Sequence, residues 1–265
     1  MSINFRRAAV LVLAAAGLAF AFGSVAYAAP AAPSIAISFA ADQPAAGSSV
    51  TGPAGVLDSV TWNNVMGPNG SASNLNADVG GVSTPTAATV NWTSAGTWAS
   101  TGAGEENNTA PAGPDRSLMT GYLDTGTVGG TGISVAVANL PAVTGFPFFD
   151  VYVYIQGGAN NRGGTYTIGG TTLEHTGLGP FEGPFVEDTI DPGTSPRSNY
   201  LVFRGLTGSA FTLTSTPTIV SGVARAPING IEIVASAIPE PGTIALLGIG
   251  AFIVSAGAFL RRRSA

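Results

Sequence analysis

Apolar and polar residues alternate most regularly along Asp150-Val151-Tyr152-Val153-Tyr154-Ile155-Gln156. Val151, Val153 and Ile155 fall on one face of an extended chain, and Asp150, Tyr152, Tyr154 and Gln156 on the other. That period of two predicts a strand. With Phe148 and Phe149 just before it, the segment reads as the central strand of a sandwich. Shorter β-branched and aromatic stretches predict further strands over residues 34–40, 60–66, 88–92, 117–123 and 132–140 before it. Residues 165–168, 171–175, 199–203, 211–215 and 229–234 supply five more after it. Gly169-Gly170, set between two of these, is a hairpin signal. Residues 67–81 and 101–114 are polar and rich in Gly and Asn, and are expected to be surface loops. No stretch between the two ends of the chain sustains a 3.6-residue period, and no unit repeats. Short strands at this spacing predict an all-β fold, an antiparallel β-sandwich of the jelly-roll kind.

The two ends have different patterns. Arg6 and Arg7 precede an uncharged apolar run over residues 8–22, and small residues follow it. A positive start, a short apolar core, and Ala26 and Ala28 three and one before the cut describe a secretory signal peptide over residues 1–28. Signal peptidase is the expected processing partner. At the other end, Pro239-Glu240-Pro241-Gly242 leads into eighteen uncharged residues, 243–260, and then Arg261, Arg262 and Arg263. A helix of that length covers about 27 Å, close to the ~30 Å hydrocarbon core of a bilayer. The arginines favour leaving the C-terminus in the cytoplasm. The prolines separate this anchor, within residues 238–265, from the domain over residues 29–237. The sandwich is therefore expected to lie between an N-terminal signal helix and a C-terminal transmembrane helix.

Composition changes the picture mainly by subtraction. Half of the ten basic residues sit in the two end segments, so the part between keeps five arginines against fourteen acids, a net charge near −9. Five scattered arginines do not make a phosphate-neutralising surface, so no nucleic-acid partner is expected. Cys is absent, which leaves no disulfides, thiolate chemistry or lipidated cysteine. Lys is absent too, which excludes Schiff-base catalysis. Gly 37 and Pro 18 agree with many short strands joined by turns.

Pro239-Glu240-Pro241, the apolar span and the arginine cluster together resemble the PEP-CTERM sorting signal. The resemblance implies recognition by an exosortase, removal of the tail, transient anchoring in the inner membrane, and delivery to the cell surface or the extracellular matrix. The run Thr61-Trp62-Asn63-Asn64, Asp150 to Tyr154, Tyr200-Leu201-Val202-Phe203 and Ile228 to Ile233 resembles a recurrent ectodomain of such proteins. Its closing strand is similar to that of galactose-binding-like jelly rolls, the fold of many carbohydrate-binding modules. That likeness implies contact with exopolysaccharide.

Candidate chemistry is sparse. His175, beside Glu174, is the only histidine and reads as a surface residue; no Gly-x-Ser-x-Gly elbow accompanies it. Glu182, Glu187, Asp188 and Asp191 form an acidic cluster in a Gly/Pro-rich loop. Such carboxylates can serve glycoside hydrolysis or hold Ca²⁺, and the spacing of Glu187, Asp188 and Asp191 within one loop suits calcium better. A solvated loop is the plain alternative, and no other cofactor is expected. Trp62, with Asn63 and Asn64 adjoining, is the candidate sugar contact; Trp92, Trp98, Tyr152 and Tyr154 invite the same reading. Aromatic residues equally anchor cores. The expected role is that of a non-catalytic exported surface or matrix protein. A secreted carboxylate-dependent polysaccharide hydrolase and a purely structural adhesin or coat component are the alternatives.

Overall fold

A computed structural model describes residues 32–43, 47–126, 132–140, 148–189, 197–218 and 224–236. The signal segment with Ala26 and Ala28, the tripeptide Pro239-Glu240-Pro241, the apolar span, Arg261 to Arg263, and Asp191 lie outside the described residues.

Strands account for about half of the described structure, and all their pairings but that of β1 with β2 are antiparallel. The larger sheet contains β1 (Ser34–Ser38), β2 (Trp62–Asn64), β4 (Asn76–Val79), β5 (Val82–Pro85), β10 (Phe148–Tyr154), β13 (Tyr200–Thr207) and β15 (Gly230–Ser236). Its order is β13-β10-β15-β1-β4-β5, with β2 added beside β1. The second sheet, in the order β12-β11-β14-β9-β6-β3, contains β3 (Asn69–Ala72), β6 (Thr89–Thr93), β9 (Ile133–Ala138), β11 (Arg162–Ile168), β12 (Thr171–Gly177) and β14 (Ala210–Pro217). A short ribbon pairs β7 (Gly96–Ala99) with β8 (Gly121–Asp124). The segment 150–156 is central, as its alternation predicts: β10 pairs with β13 on one side and β15 on the other.

One shared core joins the two large sheets. Ile35, Ile37, Val151, Val153, Leu201, Phe203, Ile231 and Ile233 of the larger sheet cluster with Val90, Val135, Val137, Tyr166 and Leu213 of the smaller one. Phe149 meets Phe211 across the gap at a ring-centroid distance of 5.9 Å. Burying two apolar faces against each other in this way is the packing of a β-sandwich.

Three local expectations are corrected. Residues 117–123 do not form one strand: a single-turn helix, α1 (Pro114–Leu118), precedes β8. Pro114 opens the helix, where its fixed φ suits the first turn and its missing N–H costs nothing. Residues 67–81 are not simply a loop. They form β3 and β4, and the two-residue turn Gly80-Gly81 leads into β5. Both turn glycines have positive φ (62° and 85°), the conformation that two-residue hairpin turns demand. Residues 101–114 run without a strand before α1, but Thr101, Asn107, Asn108 and Ala110 are buried.

Pairing of β1 with β15 brings the two ends of the described chain together. Ser34 lies opposite Val234, and the Ala235 amide donates to the Pro33 carbonyl at 3.0 Å. The β4–β5 turn lies at the same end of the sheet, because β4 runs antiparallel to β1 with Asp78 opposite Ser34.

Candidate functional site

Around Tyr152, Tyr154, Tyr200 and Val202 the outer face of the larger sheet is covered by chain, not by water. Tyr152, Tyr154, Tyr200 and Val202 point away from the sandwich interior. There they meet Val50, Ala54, Ala110, Leu118, Met119, Phe181 and Phe185, drawn from three loops and α1. Trp62 packs into this second cluster, its ring 6.1 Å from that of Tyr154, and its Nε1 donates to the Ser59 carbonyl at 2.8 Å. The Asn63 amide bridges two strands. Its Nδ2 donates to the carbonyls of Ala36 and Asn76, and its Oδ1 accepts from the Asn76 amide. Asn64 exchanges a pair of hydrogen bonds with the backbone of Val50, as a neighbouring strand would. Both side-chain amides thus serve as backbone substitutes: Asn63 ties β2 to β1 and β4, and Asn64 ties β2 to the loop at Val50. Of the other tryptophans, Trp92 is in the core, whereas Trp98 on β7 is 43 % exposed.

Beneath these loops lies a buried carboxylate. Glu232 on β15 is directed to the outer face and is fully buried. The Tyr154 hydroxyl donates to its Oε2 at 2.8 Å and accepts from the Val56 amide at 2.9 Å. Ser59 Oγ donates to its Oε1, and Ser34 Oγ lies 2.6 Å from that hydroxyl. Burial raises the pKa of Glu232 to about 7, against the lowering effect of the Ser59 and Tyr154 hydrogen bonds. The network pins residues 54–60 to the sheet.

The acidic loop is tied down residue by residue. Glu182 pairs with Arg197, and Glu187 pairs with both Nη atoms of Arg204 at 2.8 Å each. Asp188 is buried, with its Oδ2 3.0 Å from His175 Nδ1 and 2.9 Å from the donating Ser198 Oγ. His175 is only 1 % exposed, which corrects the expectation of a surface residue. It sits where β12 passes under residues 188 and 198. Ser, His and Asp are the residue types of a hydrolase triad, but the arrangement differs. In a working triad, Ser and Asp bond opposite nitrogens of the imidazole. Here both lie on the Nδ1 side, and Nε2 is buried without a hydrogen-bond partner among the described residues. This geometry can orient the ring; it provides no path for a serine proton to Nε2. Among the described residues, no group of three or more His, Cys, Asp or Glu side chains is placed to hold a metal ion. A cleft of about 260 Å³ borders the loop, with Leu173, Glu187, Asp188, Leu201 and Arg204 in its wall.

Two of these residues escaped sequence reasoning. Glu232 has the signature of a solvent-facing position, a lone acid between Ile231 and Ile233, and only the covering loops make it interior. Ser198 carries no sequence signal at all.

Comparison with known proteins places the clearest functional information outside this domain. Residues 237–263 match the family model of the PEP-CTERM protein-sorting motif. No curated protein and no solved structure matches the chain. The motif marks an exported protein that carries a C-terminal sorting signal and is processed by an exosortase.

Proposed function

We propose that this is a non-catalytic surface or extracellular-matrix protein: a jelly-roll ectodomain held transiently in the inner membrane by residues 243–260, C-terminus cytoplasmic, until an exosortase removes the tail. The observation that carries this reading is the sorting motif at residues 237–263, set immediately after the last sheet strand. Further support comes from the engagement of the candidate carboxylates Glu182, Glu187 and Asp188 in pairs that hold loops in place. Replacing Pro239, Glu240 and Pro241 together by alanine should leave a longer, membrane-retained form on an immunoblot of cell fractions. Maturation that proceeds unchanged would reduce the tripeptide to a hinge.

Contact with exopolysaccharide is the finer form of this proposal. Its support is the exposed indole of Trp98, beside the half-buried Thr97, whose hydroxyl accepts a hydrogen bond from Gln43. Trp62 is less suited to stack on a sugar, because its indole N–H and ring face are engaged within the fold. Glycan-array binding by the exported protein, lost in Trp98→Ala, is the expected result. No signal above background would leave a purely structural coat or adhesin role.

A further inference from the structure

Four of the eight large hydrophobic side chains that are exposed among the described residues gather at one end of the molecule. Leu57 (39 %), Val60 (40 %), Val79 (39 %) and Val82 (63 %) surround the place where β1 begins and β15 finishes. Val79 and Val82 face each other across the tip of the β4–β5 hairpin. Leu57 and Val60 wall a cleft of about 420 Å³ on the outer side, with Ala32, Asp78, Gly81 and Val234. An apolar fringe of this kind, concentrated at loop tips and not scattered, marks a contact surface.

Chain length decides what the surface meets. Ser236 is the last residue of β15, and only residues 237–242 separate it from the apolar span that begins at Thr243. Fully extended, that connection reaches about 24 Å. A domain of roughly 200 residues has a radius of gyration of about 16 Å and is thus about 40 Å across. The tether is shorter than the domain, so a chain anchored by residues 243–260 cannot turn over. The end bearing the four apolar residues is thus held within about 24 Å of the bilayer.

We propose that this end is a membrane-apposed face, with Leu57, Val60, Val79 and Val82 entering the headgroup interface of the bilayer that holds the C-terminal span. The proposal rests on the anchoring reading above. The charged groups beside the patch, Asp58 and Asp78, are acidic. The contact is therefore apolar and not electrostatic, and does not require anionic lipid.

The chain contains no cysteine, so single cysteines introduced at exposed positions can be labelled cleanly. The full precursor, carrying an environment-sensitive fluorophore at V82C or V60C, is reconstituted into phosphatidylcholine vesicles containing a doxyl-labelled lipid. M66C is the reference: Met66 is 58 % exposed and follows β2, which runs parallel to β1, so it sits at the opposite end of the sheet. Emission at 82 and 60 should be quenched about twofold or more relative to 66, and equally when a third of the lipid is phosphatidylglycerol. Flotation is scored first. A chain that fails to float with the vesicles overturns the anchoring, and the proposal with it. A chain that floats while 82 and 60 respond no more than 66 overturns the apposed face alone. A response that follows protein density and ignores the lipid quencher assigns the patch to a second copy and likewise overturns it.

Discussion

Glu232 occupies a strand position that alternation turns away from the sandwich interior, yet loop residues 54–60 seal it from water. Burial is the main cause of its raised pKa. Ser59 and Tyr154 oppose the rise, and Asp78 and Asp58 add to it. A carboxyl that titrates near 7 when folded, against 4.5 ordinarily, binds its proton more tightly in the native state. Its contribution is therefore most favourable below pH 4.5 and declines as pH rises to about 7. The loss is about 3 kcal/mol as an order of magnitude. Thermal unfolding should show the Tm of the native protein falling between about pH 5 and about pH 7. Glu232→Gln should flatten that fall and gain most at about pH 8. Parallel curves for the two proteins would refute the assignment. The sequence around Glu232 could not reveal this, because a lone acid between two isoleucines looks the same whether water or a loop covers it. The buried Asp188–His175 pair was hidden for a related reason. Its members are thirteen positions apart, and only the path of β12 beneath the loop brings them together.

Among the elements that were legible, β9 and β14 have one wet and one dry face, while β1 and β15 are buried almost throughout. In β9 and β14, buried and open positions alternate along the whole strand, so the hydrophobic pattern announces them. β5 is exposed throughout and β3 nearly so, and with no face to bury they leave no periodic trace. α1, at five residues, is too short to display a helical period, and its only cue was Pro114 followed by Asp115. Glycine inside β11 carries a meaning that the pattern also misses. A Cβ at Gly163 would come within 1.9 Å of the His175 carbonyl oxygen, which is fixed backbone on the paired strand β12. Gly163→Ala should therefore push β11 and β12 apart and cost about 1–3 kcal/mol in urea unfolding. Gly170→Ala, with nothing near its Cβ and no positive φ, should change stability by less than about 0.5 kcal/mol. Equal effects at the two sites would contradict this account of β11.

At the scale of the whole molecule, destination and architecture are written in separate places. The sorting motif is a short linear signal readable from residue types alone, whereas the loops that cover the outer face are assembled from positions 47–62, 105–119 and 181–188. No local pattern predicts that assembly, since its members are far apart in sequence. The placement of β15 has a mechanical consequence. The strand that ends at Ser236 is not at an edge: it lies between β10, with seven paired residues, and β1, with five. A load drawn through the C-terminus pulls β15 lengthwise against both neighbours. The hydrogen bonds of two ladders then strain together instead of parting one by one, so the strand nearest the sorting motif is also among the hardest to draw out.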